Sequence, residues 1–166
     1  MIRVSTKQFL IATPLLVLVA ACAEEVPSEG GETAAAGDDT PTEIAERQDN
    51  FEGISDAFKV IRTELEGDPD MAAIEAAATD INARAQRITS LFPEGTSVDA
   101  GYDTEALAAI WERPDEFEAA AQRLVDESAT MMTLAAGGDA GAVAEQVAAL
   151  GGSCKGCHDN FRLDDD

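Results

Sequence analysis

The sequence predicts an all-α protein, built as an antiparallel up-down bundle of four helices. Four stretches between residues 41 and 166 repeat apolar residues every three or four positions, which is the period of one face of an α-helix. We find no stretch with the strict apolar–polar alternation of a half-buried β-strand. Two of the three connections are short, and short connections place consecutive helices side by side in opposite directions. Residues 41–166 are enough for one core and one domain.

The first two helices have clear start and stop signals. Residues 40–43, Thr-Pro-Thr-Glu, offer an N-cap hydroxyl, Pro at the first helical position and Glu at the third. Gly67 and Pro69 end the first helix, and the second is predicted to run from about Asp68 to Pro93. The predicted buried faces contain Ile44, Arg47, Phe51, Ile54, Phe58, Ile61 and Leu65, then Met71, Ile74, Ala78, Ile81, Ala85, Ile88 and Phe92.

The last two helices follow a longer connection over residues 93–113, which includes a short helical stretch ending at Trp111. The third helix is predicted to begin near Pro114 and to end at Gly137, and Asp139 can cap the fourth. Their predicted buried faces contain Phe117, Ala121, Leu124, Ser128, Met131 and Ala135, then Val143, Val147, Leu150, Cys154, Cys157 and Phe161.

Residues 154–158 read Cys-Lys-Gly-Cys-His, which is the attachment sequence of c-type haem. Two thiols at this spacing can both reach the vinyl groups of one porphyrin, and the following His is directed at the iron. A zinc site usually needs four ligands, and this chain has one His and no second Cys pair. A thioredoxin-like motif would need a βαβ context. We therefore predict one haem c, covalently attached through Cys154 and Cys157 near the C-terminal end, with His158 as the iron ligand.

The N-terminal residues 1–21 are predicted to be a signal peptide. A positively charged start precedes an apolar run from Phe9 to Ala21, too short for a membrane span of about 20 residues. Val-Ala-Ala-Cys at residues 19–22 resembles the bacterial lipobox, in which Cys22 is lipidated and becomes the mature N-terminus. The alternative is an ordinary signal peptide with Cys22 free, although a free exposed thiol is a liability. We expect a periplasmic protein, anchored to a membrane by lipid at Cys22.

The chain is strongly acidic. Residues 22–40 lack any apolar period and are predicted to be a flexible acidic tether. The whole chain has 11 basic and 33 acidic residues, and loss of residues 1–21 would remove Arg3 and Lys7 but no acidic residue. Such a protein will not bind nucleic acid through charge. It should be repelled by anionic membrane surfaces, so lipid would be its membrane contact. A cationic redox partner would suit this charge.

Four motifs together are specific for one family. They are the run from Gly152 to Arg162, the sequence Ala109-Ile110-Trp111 followed by a helix with Phe117, the pair Arg47-Gln48, and Leu-Phe-Pro-Glu-Gly-Thr at residues 91–96. Through them the chain resembles the cytochrome c′ family over residues 42–164. The resemblance implies a five-coordinate, high-spin iron with His158 as its proximal ligand and an apolar distal face. It also implies binding of NO and CO, and a homodimer formed through the first two helices.

The bundle topology independently predicts where the haem lies. The end of the fourth helix adjoins the start of the first, the end of the second and the start of the third. A sixth iron ligand would normally be Met or His. The single His is already used, and Met71, Met131 and Met132 lie toward the other end of the bundle, so the sixth position is predicted to be vacant. The expected lining residues are Arg47, Phe51, Ile54, Ile88, Phe92, Phe117 and Leu124.

Three of the candidate residues have a second interpretation. Phe51 lies four residues after Arg47, where the resemblance places the distal residue, and it would obstruct access to the iron; the alternative is plain core packing. Arg47 would pair with a haem propionate, or it would be a surface Arg with a buried stem. The resemblance places Arg162 beside the proximal His; the alternative is a charge that complements the helix dipole.

Two functions from different classes remain. One is a haem protein that binds NO and CO and acts in NO binding or tolerance, and the other is a membrane-attached periplasmic electron carrier. A vacant sixth position beside an apolar wall favours gas binding. Catalytic conversion of NO or peroxide would need a distal acid–base group, and the chain has no second His to supply one. We therefore expect that the protein is not an enzyme.

Overall fold

The structure of the protein is a computed structural model that describes residues 40–164. Within this range the α-helices are α1 (Thr42–Glu64), α2 (Met71–Ala85), α3 (Ala109–Glu112), α4 (Pro114–Gly137) and α5 (Ala140–Phe161). The four long helices form the predicted bundle, and α3 is a single turn before α4. None of these helices is long and apolar enough to cross a membrane. The predicted signal peptide, Cys22 and the tether up to residue 39 lie outside the described residues.

Aspartate side chains cap two of the bundle helices. The Oδ1 atom of Asp70 accepts the N–H groups of Ala72 at 2.9 Å and Ala73 at 3.2 Å. The Oδ1 atom of Asp139 accepts the N–H of Ala142 at 3.0 Å, as the sequence predicts. These bonds satisfy N–H groups that have no partner inside the helix. Helix α2 begins at Met71, so its predicted start at about residues 68–69 is two to three residues early.

The predicted N-cap of α1 at Thr40 is wrong. Pro41 has φ −53° and ψ 134°, so its backbone is extended rather than helical, and it occupies the cap position itself. The helix begins at Thr42 and has no side-chain cap. The fixed φ of proline is compatible with both positions, and the pattern alone did not distinguish them.

The helix α2 ends at Ala85, about two turns before the predicted stop at Pro93. The chain tightens into a 3₁₀ helix over Ile88–Leu91. The Ser90 hydroxyl donates to the Arg87 carbonyl at 2.7 Å, and such local side-chain bonds compete with continued α-helix. Ile88 and Leu91 are nevertheless buried, so the apolar face continues across the break.

The core lies between three of the four possible pairs of adjacent helices. The helix α1 packs against α2, α2 against α4, and α4 against α5. Ile61, Ile74, Met131 and Leu150 have no exposed surface and belong to this core. Helices α1 and α5 share little direct contact. The bundle is therefore open along one side, and this opening positions the candidate site.

Two adjacent glycines at the end of α4 give a test of the fold. Gly138 has φ +73°, in the left-handed region, whereas Gly137 is helical. Gly138→Ala should destabilise the holoprotein by about 1 kcal/mol because alanine strains this backbone. A Cβ at Gly137 would meet nothing within 4 Å, so Gly137→Ala should stabilise it by up to about 1 kcal/mol. Thermal unfolding followed by circular dichroism measures both changes, and equal melting temperatures would contradict this account.

Candidate functional site

A cavity of about 890 Å³ lies along the open side, with walls formed by α1, α4, α5 and the connection after α2. Ligand and cofactor pockets typically have volumes of roughly 300–1,000 Å³. The structure brings all of the candidate residues for cofactor binding to these walls: Arg47, Phe51, Ile54, Ile88, Phe92, Phe117, Leu124, Cys154, Cys157, His158 and Arg162.

The attachment motif lies on one face of α5. Residues three and four apart are neighbours on a helix surface, so Cys154, Cys157 and His158 reach the cavity together. Burial raises the pKa of Cys154, and burial together with the nearby Cys154 raises the pKa of Cys157 to about 11. Both thiols are therefore protonated at neutral pH.

The imidazole of His158 is neutral at the same pH. Burial lowers its pKa, and the positive charge of Arg162 lowers it further. The carboxylates of Glu105 and Asp159 act in the opposite direction but do not reverse the shift. Neutral imidazole is the form that binds a metal, so His158 is suited to serve as an iron ligand.

Phe51 is half-buried on the α1 wall of the cavity. Its ring lies 6.3 Å from the ring of Phe92, centroid to centroid and nearly edge-on. Phe92 lies 5.0 Å from Phe117, which lies 5.3 Å from Phe161. Edge-to-face pairs of this kind each contribute about 0.5–1.5 kcal/mol beyond their buried area. The α1 wall is therefore linked to α4 and α5 by a series of aromatic contacts.

Arg47 is only 2% exposed, which contradicts the alternative of a surface arginine. Its guanidinium lies 4.9 Å from the centroid of the Phe92 ring. It donates to the Thr96 hydroxyl at 3.0 Å, the Thr96 carbonyl at 2.7 Å and the Thr104 hydroxyl at 2.6 Å. All of these acceptors are neutral, and no carboxylate in residues 40–164 forms a salt bridge with Arg47. Burial lowers the pKa of Arg47, yet the group stays charged, so an anion here would be stabilising.

Arg162 stands at the C-terminal end of α5, immediately after Phe161. Its Nε donates to a carboxylate oxygen of Glu105, and its backbone N–H donates to the His158 carbonyl at 3.1 Å. Its positive charge lowers the pKa of His158. The same charge lies at the C-terminal end of α5, where it complements the helix dipole. The two interpretations of Arg162 are therefore compatible.

Sequence reasoning missed one wall of the cavity. The connection between α2 and α3 has no hydrophobic period, so its residues could not be assigned to a face. Gly95 and Gly101, both with positive φ, are the positions at which it turns, and glycines at such spacing were the available signal. The missed lining residues of this connection are Val98, Tyr102, Asp103, Thr104, Glu105 and Ala106.

The walls that residues 40–164 form contain no Met, and His158 is their one His. Met131 is fully buried in the core, and Met71 and Met132 pack against that core away from the cavity. Tyr102 is the remaining wall residue of a type that ligates haem iron in some proteins.

The donor set fits a haem c. Two thiols and a neutral imidazole share one helix face, apolar side chains form much of the cavity, and a buried guanidinium can receive a carboxylate. Cys154 and Cys157 would attach the group, His158 would ligate its iron, and Arg47 would bind a propionate.

Comparison with known proteins agrees with this site. The family model for Cytochrome C′ matches residues 42–162. Cytochrome c′ of Pararhodospirillum photometricum is 36% identical over 118 residues, which cover 70% of this chain and 92% of the relative.

Solved structures of similar fold are also cytochromes c′. One is a cytochrome c′ described as having an unusual ligand-controlled dimer dissociation. It has a TM-score of 0.69 and 28% identity to this chain, and the match covers 78% of this chain and all of that chain. A nitric oxide complex of a variant from Alcaligenes xylosoxidans has a TM-score of 0.66 and covers 75% and 95% of the two chains; at 22% identity it supports the fold alone. The chain belongs to the cytochrome c′ family, whose members carry covalent haem c.

Proposed function

We propose that this protein is a periplasmic haem c protein with a five-coordinate iron that binds NO and CO, and that it acts in NO binding or tolerance. The composition of the cavity carries the proposal. One imidazole lies on the α5 wall, aromatic and aliphatic side chains face it from other helices, and no Met or second His joins them among the described lining residues. The bound haem supplies an iron with a coordination position for a gas.

The residues of the cavity have distinct roles in this proposal. Cys154 and Cys157 hold the cofactor to α5, and His158 supplies the imidazole lone pair. Arg47 is already held by neutral acceptors, so it can bind a carboxylate with little loss of side-chain freedom. The cofactor is thereby fixed through α5 at one side and through α1 at the other.

The apolar wall favours uncharged ligands. Ile54, Ile88, Phe92 and Leu124 offer no hydrogen bond from their side chains to a bound molecule. An anion would lose its hydration there without compensation, whereas NO and CO lose little. The net charge of −22 would also repel anions from the protein.

The properties of structural neighbours support two further parts of the proposal. The A. xylosoxidans protein, which shares the fold, is known as a nitric oxide complex, and NO is the gas that we propose for this chain. The ligand-controlled dimer of another neighbour supports a homodimer, which we propose to form through α1 and α2. Val60, 42% exposed on α1, is an apolar side chain that such an interface could cover.

The absorption spectrum of the purified ferrous protein, with and without CO and NO, tests the function. A vacant sixth position predicts a high-spin spectrum that changes when either gas is added. An electron carrier with two axial protein ligands would instead be low-spin, and CO would leave its spectrum unchanged. That second result would overturn gas binding and favour electron transfer.

Phe51 should control access to the iron. Phe51→Ala should raise the CO association rate about tenfold, because displacing a packed ring costs about 1–2 kcal/mol and 1.4 kcal/mol is a factor of ten. Phe51→Met should shift the spectrum toward six-coordinate low-spin iron, since a thioether can ligate where a ring cannot. Stopped-flow mixing and absorption spectra measure these effects.

Ile61→Ala is the matched control for Phe51→Ala. Ile61 is fully buried in the same helix but is not part of the cavity wall. Its truncation should lower the melting temperature, as Phe51→Ala also should, while CO kinetics stay at the wild-type value. Phe51→Ala with unchanged CO kinetics would refute the gate.

Cys22 should determine where the protein is found. Cys22→Ser should convert a detergent-extracted protein into a soluble periplasmic one, because the several acyl chains of a lipoprotein hold firmly where one chain holds only marginally. Haem should remain attached, since Cys154 and Cys157 are unchanged. Cell fractionation followed by haem staining measures both properties. A wild-type protein already in the soluble periplasmic fraction would show that the lipobox interpretation is wrong.

A further inference from the structure

Residues 96–107, here called the strap, lie between the two helices that border the open side of the bundle. Few residues of helices α1 and α5 lie close together, one contact being the Phe58 ring against Gly151, so the packing of helix on helix fixes their separation only in part. The strap hydrogen-bonds to both of them, and several of its residues line the cavity. It is therefore placed to connect the wall that contains Phe51 with the wall that contains His158.

The α1 end of the strap is held by a buried charged group. Arg47 donates to Thr96 and Thr104, with its shortest bond, 2.6 Å, to the Thr104 hydroxyl. Gln48 adds a bond to the Asp103 carbonyl at 3.1 Å. Hydrogen bonds from charged donors are about twice as strong as neutral ones, and Arg47 is shielded from water.

The α5 end is held by a short antiparallel pairing of backbone. The Leu107 N–H donates to the Phe161 carbonyl at 3.1 Å, and the Leu163 N–H donates to the Glu105 carbonyl at 2.8 Å. The ion pair between Glu105 and Arg162 lies alongside. Phe161 and Arg162 follow His158 by less than two helical turns, so this pairing restrains the part of α5 that contains the iron ligand.

We propose that the strap sets the separation of the two cavity walls. Thr104 and Glu105, which are adjacent in the chain, are its positioning residues: Thr104 binds to α1 and Glu105 to the end of α5. The inference rests on the proposed gas-binding function. It adds a structural connection through which a movement of the Phe51 wall alters the position of the His158 wall. An entering gas displaces the Phe51 ring, which pushes α1 outward. Arg47 transmits this shift of α1 to the strap, and the backbone pairing transmits it to the end of α5.

Thr104→Val and Thr104→Ser form a matched pair for the α1 end. Valine removes the acceptor for Arg47, whereas serine keeps it. Thr104→Val should increase the CO association rate about two- to fivefold, because Phe51 then moves against a looser wall. It should also shift the iron–histidine stretching band in the resonance Raman spectrum of the ferrous holoprotein. Thr104→Ser should retain wild-type values for both, which a general loss of stability would not produce.

The Thr104 hydroxyl accepts hydrogen bonds from Arg47 and from the Ala106 N–H, and neither donor is on α5. Arg47 is also the residue that would bind a haem propionate. A shift of the iron–histidine band in Thr104→Val therefore reports transmission through the strap only if Glu105→Gln, which leaves the Arg47 contacts in place, shifts the same band. If Thr104→Val and Thr104→Ser give the same band and the same CO rate, the strap does not couple the walls and the proposal is overturned.

Glu105→Gln and Asp159→Asn form the matched pair for the α5 end. Both substitutions remove a carboxylate whose negative charge raises the pKa of His158. Asp159 serves as the control because it pairs with Lys155 within α5 and not with the strap. Glu105→Gln should raise the CO association rate by about twofold, a small effect because a half-exposed ion pair contributes little. Asp159→Asn should leave that rate unchanged. Equal rates in the two variants would assign the effect to charge and would overturn the role of the strap.

The proposed gas-binding function and the proposed role of the strap can fail separately. A wild-type protein that does not bind CO would defeat the proposed function, and amide hydrogen exchange at the Leu107 and Leu163 N–H groups would still test the strap. Faster exchange in Thr104→Val than in Thr104→Ser would support coupling of the walls, and equal exchange would overturn it. If Thr104→Val does not attach haem, the comparison of Glu105→Gln with Asp159→Asn decides the question.

Discussion

The sparse contact between α1 and α5 is the constraint on which the rest of this structure depends. In a closed four-helix bundle each helix packs on two neighbours, and the core runs through the centre. Here three helix pairs make the core, and a cavity of about 890 Å³ takes the place of the fourth. A cofactor in that space removes the apolar walls from water. Because it is covalently attached it stays on the chain when the protein unfolds, so it stabilises the fold through the apolar surface that is buried in the native state alone. Cofactor and fold are therefore coupled through the same surface.

Arg47 shows how this coupling is achieved at one end of the cavity. A guanidinium that is 2% exposed would normally have a carboxylate partner, because an isolated buried charge is costly. The protein instead surrounds it with the hydroxyl groups of Thr96 and Thr104 and with the face of Phe92. These partners fix its position without neutralising its charge. The residue can thus hold the strap and bind an anionic group of the cofactor at once, in a chain whose net charge is −22.

The parts that the sequence predicts well are those fixed by local rules. The period of three to four identifies Ile61, Met131 and Leu150 as core, and the spacing of the attachment motif brings it to one helix face. The parts it misses are irregular. Beyond the end of α2 the chain tightens, and the Ser90 hydroxyl donates to the Arg87 carbonyl. The strap takes its path from contacts distant in sequence, with Arg47 and with the end of α5. Neither leaves a periodic signal, because no repeating face is buried.

The α5 side of the site is fixed by local sequence, whereas the α1 side depends on contacts distant in sequence. The attachment and the axial ligand come from five consecutive residues on α5, so one helix face is sufficient to arrange them. In the proposed function, the opposite coordination position depends on the side chain that α1 presents and on the separation of α1 from α5. It also depends on the Met residues, which lie away from the described cavity wall. A change at Phe51 could therefore alter ligand access while leaving attachment intact. Under the proposed function, the wall opposite His158, rather than the attachment motif, separates gas binding from electron transfer.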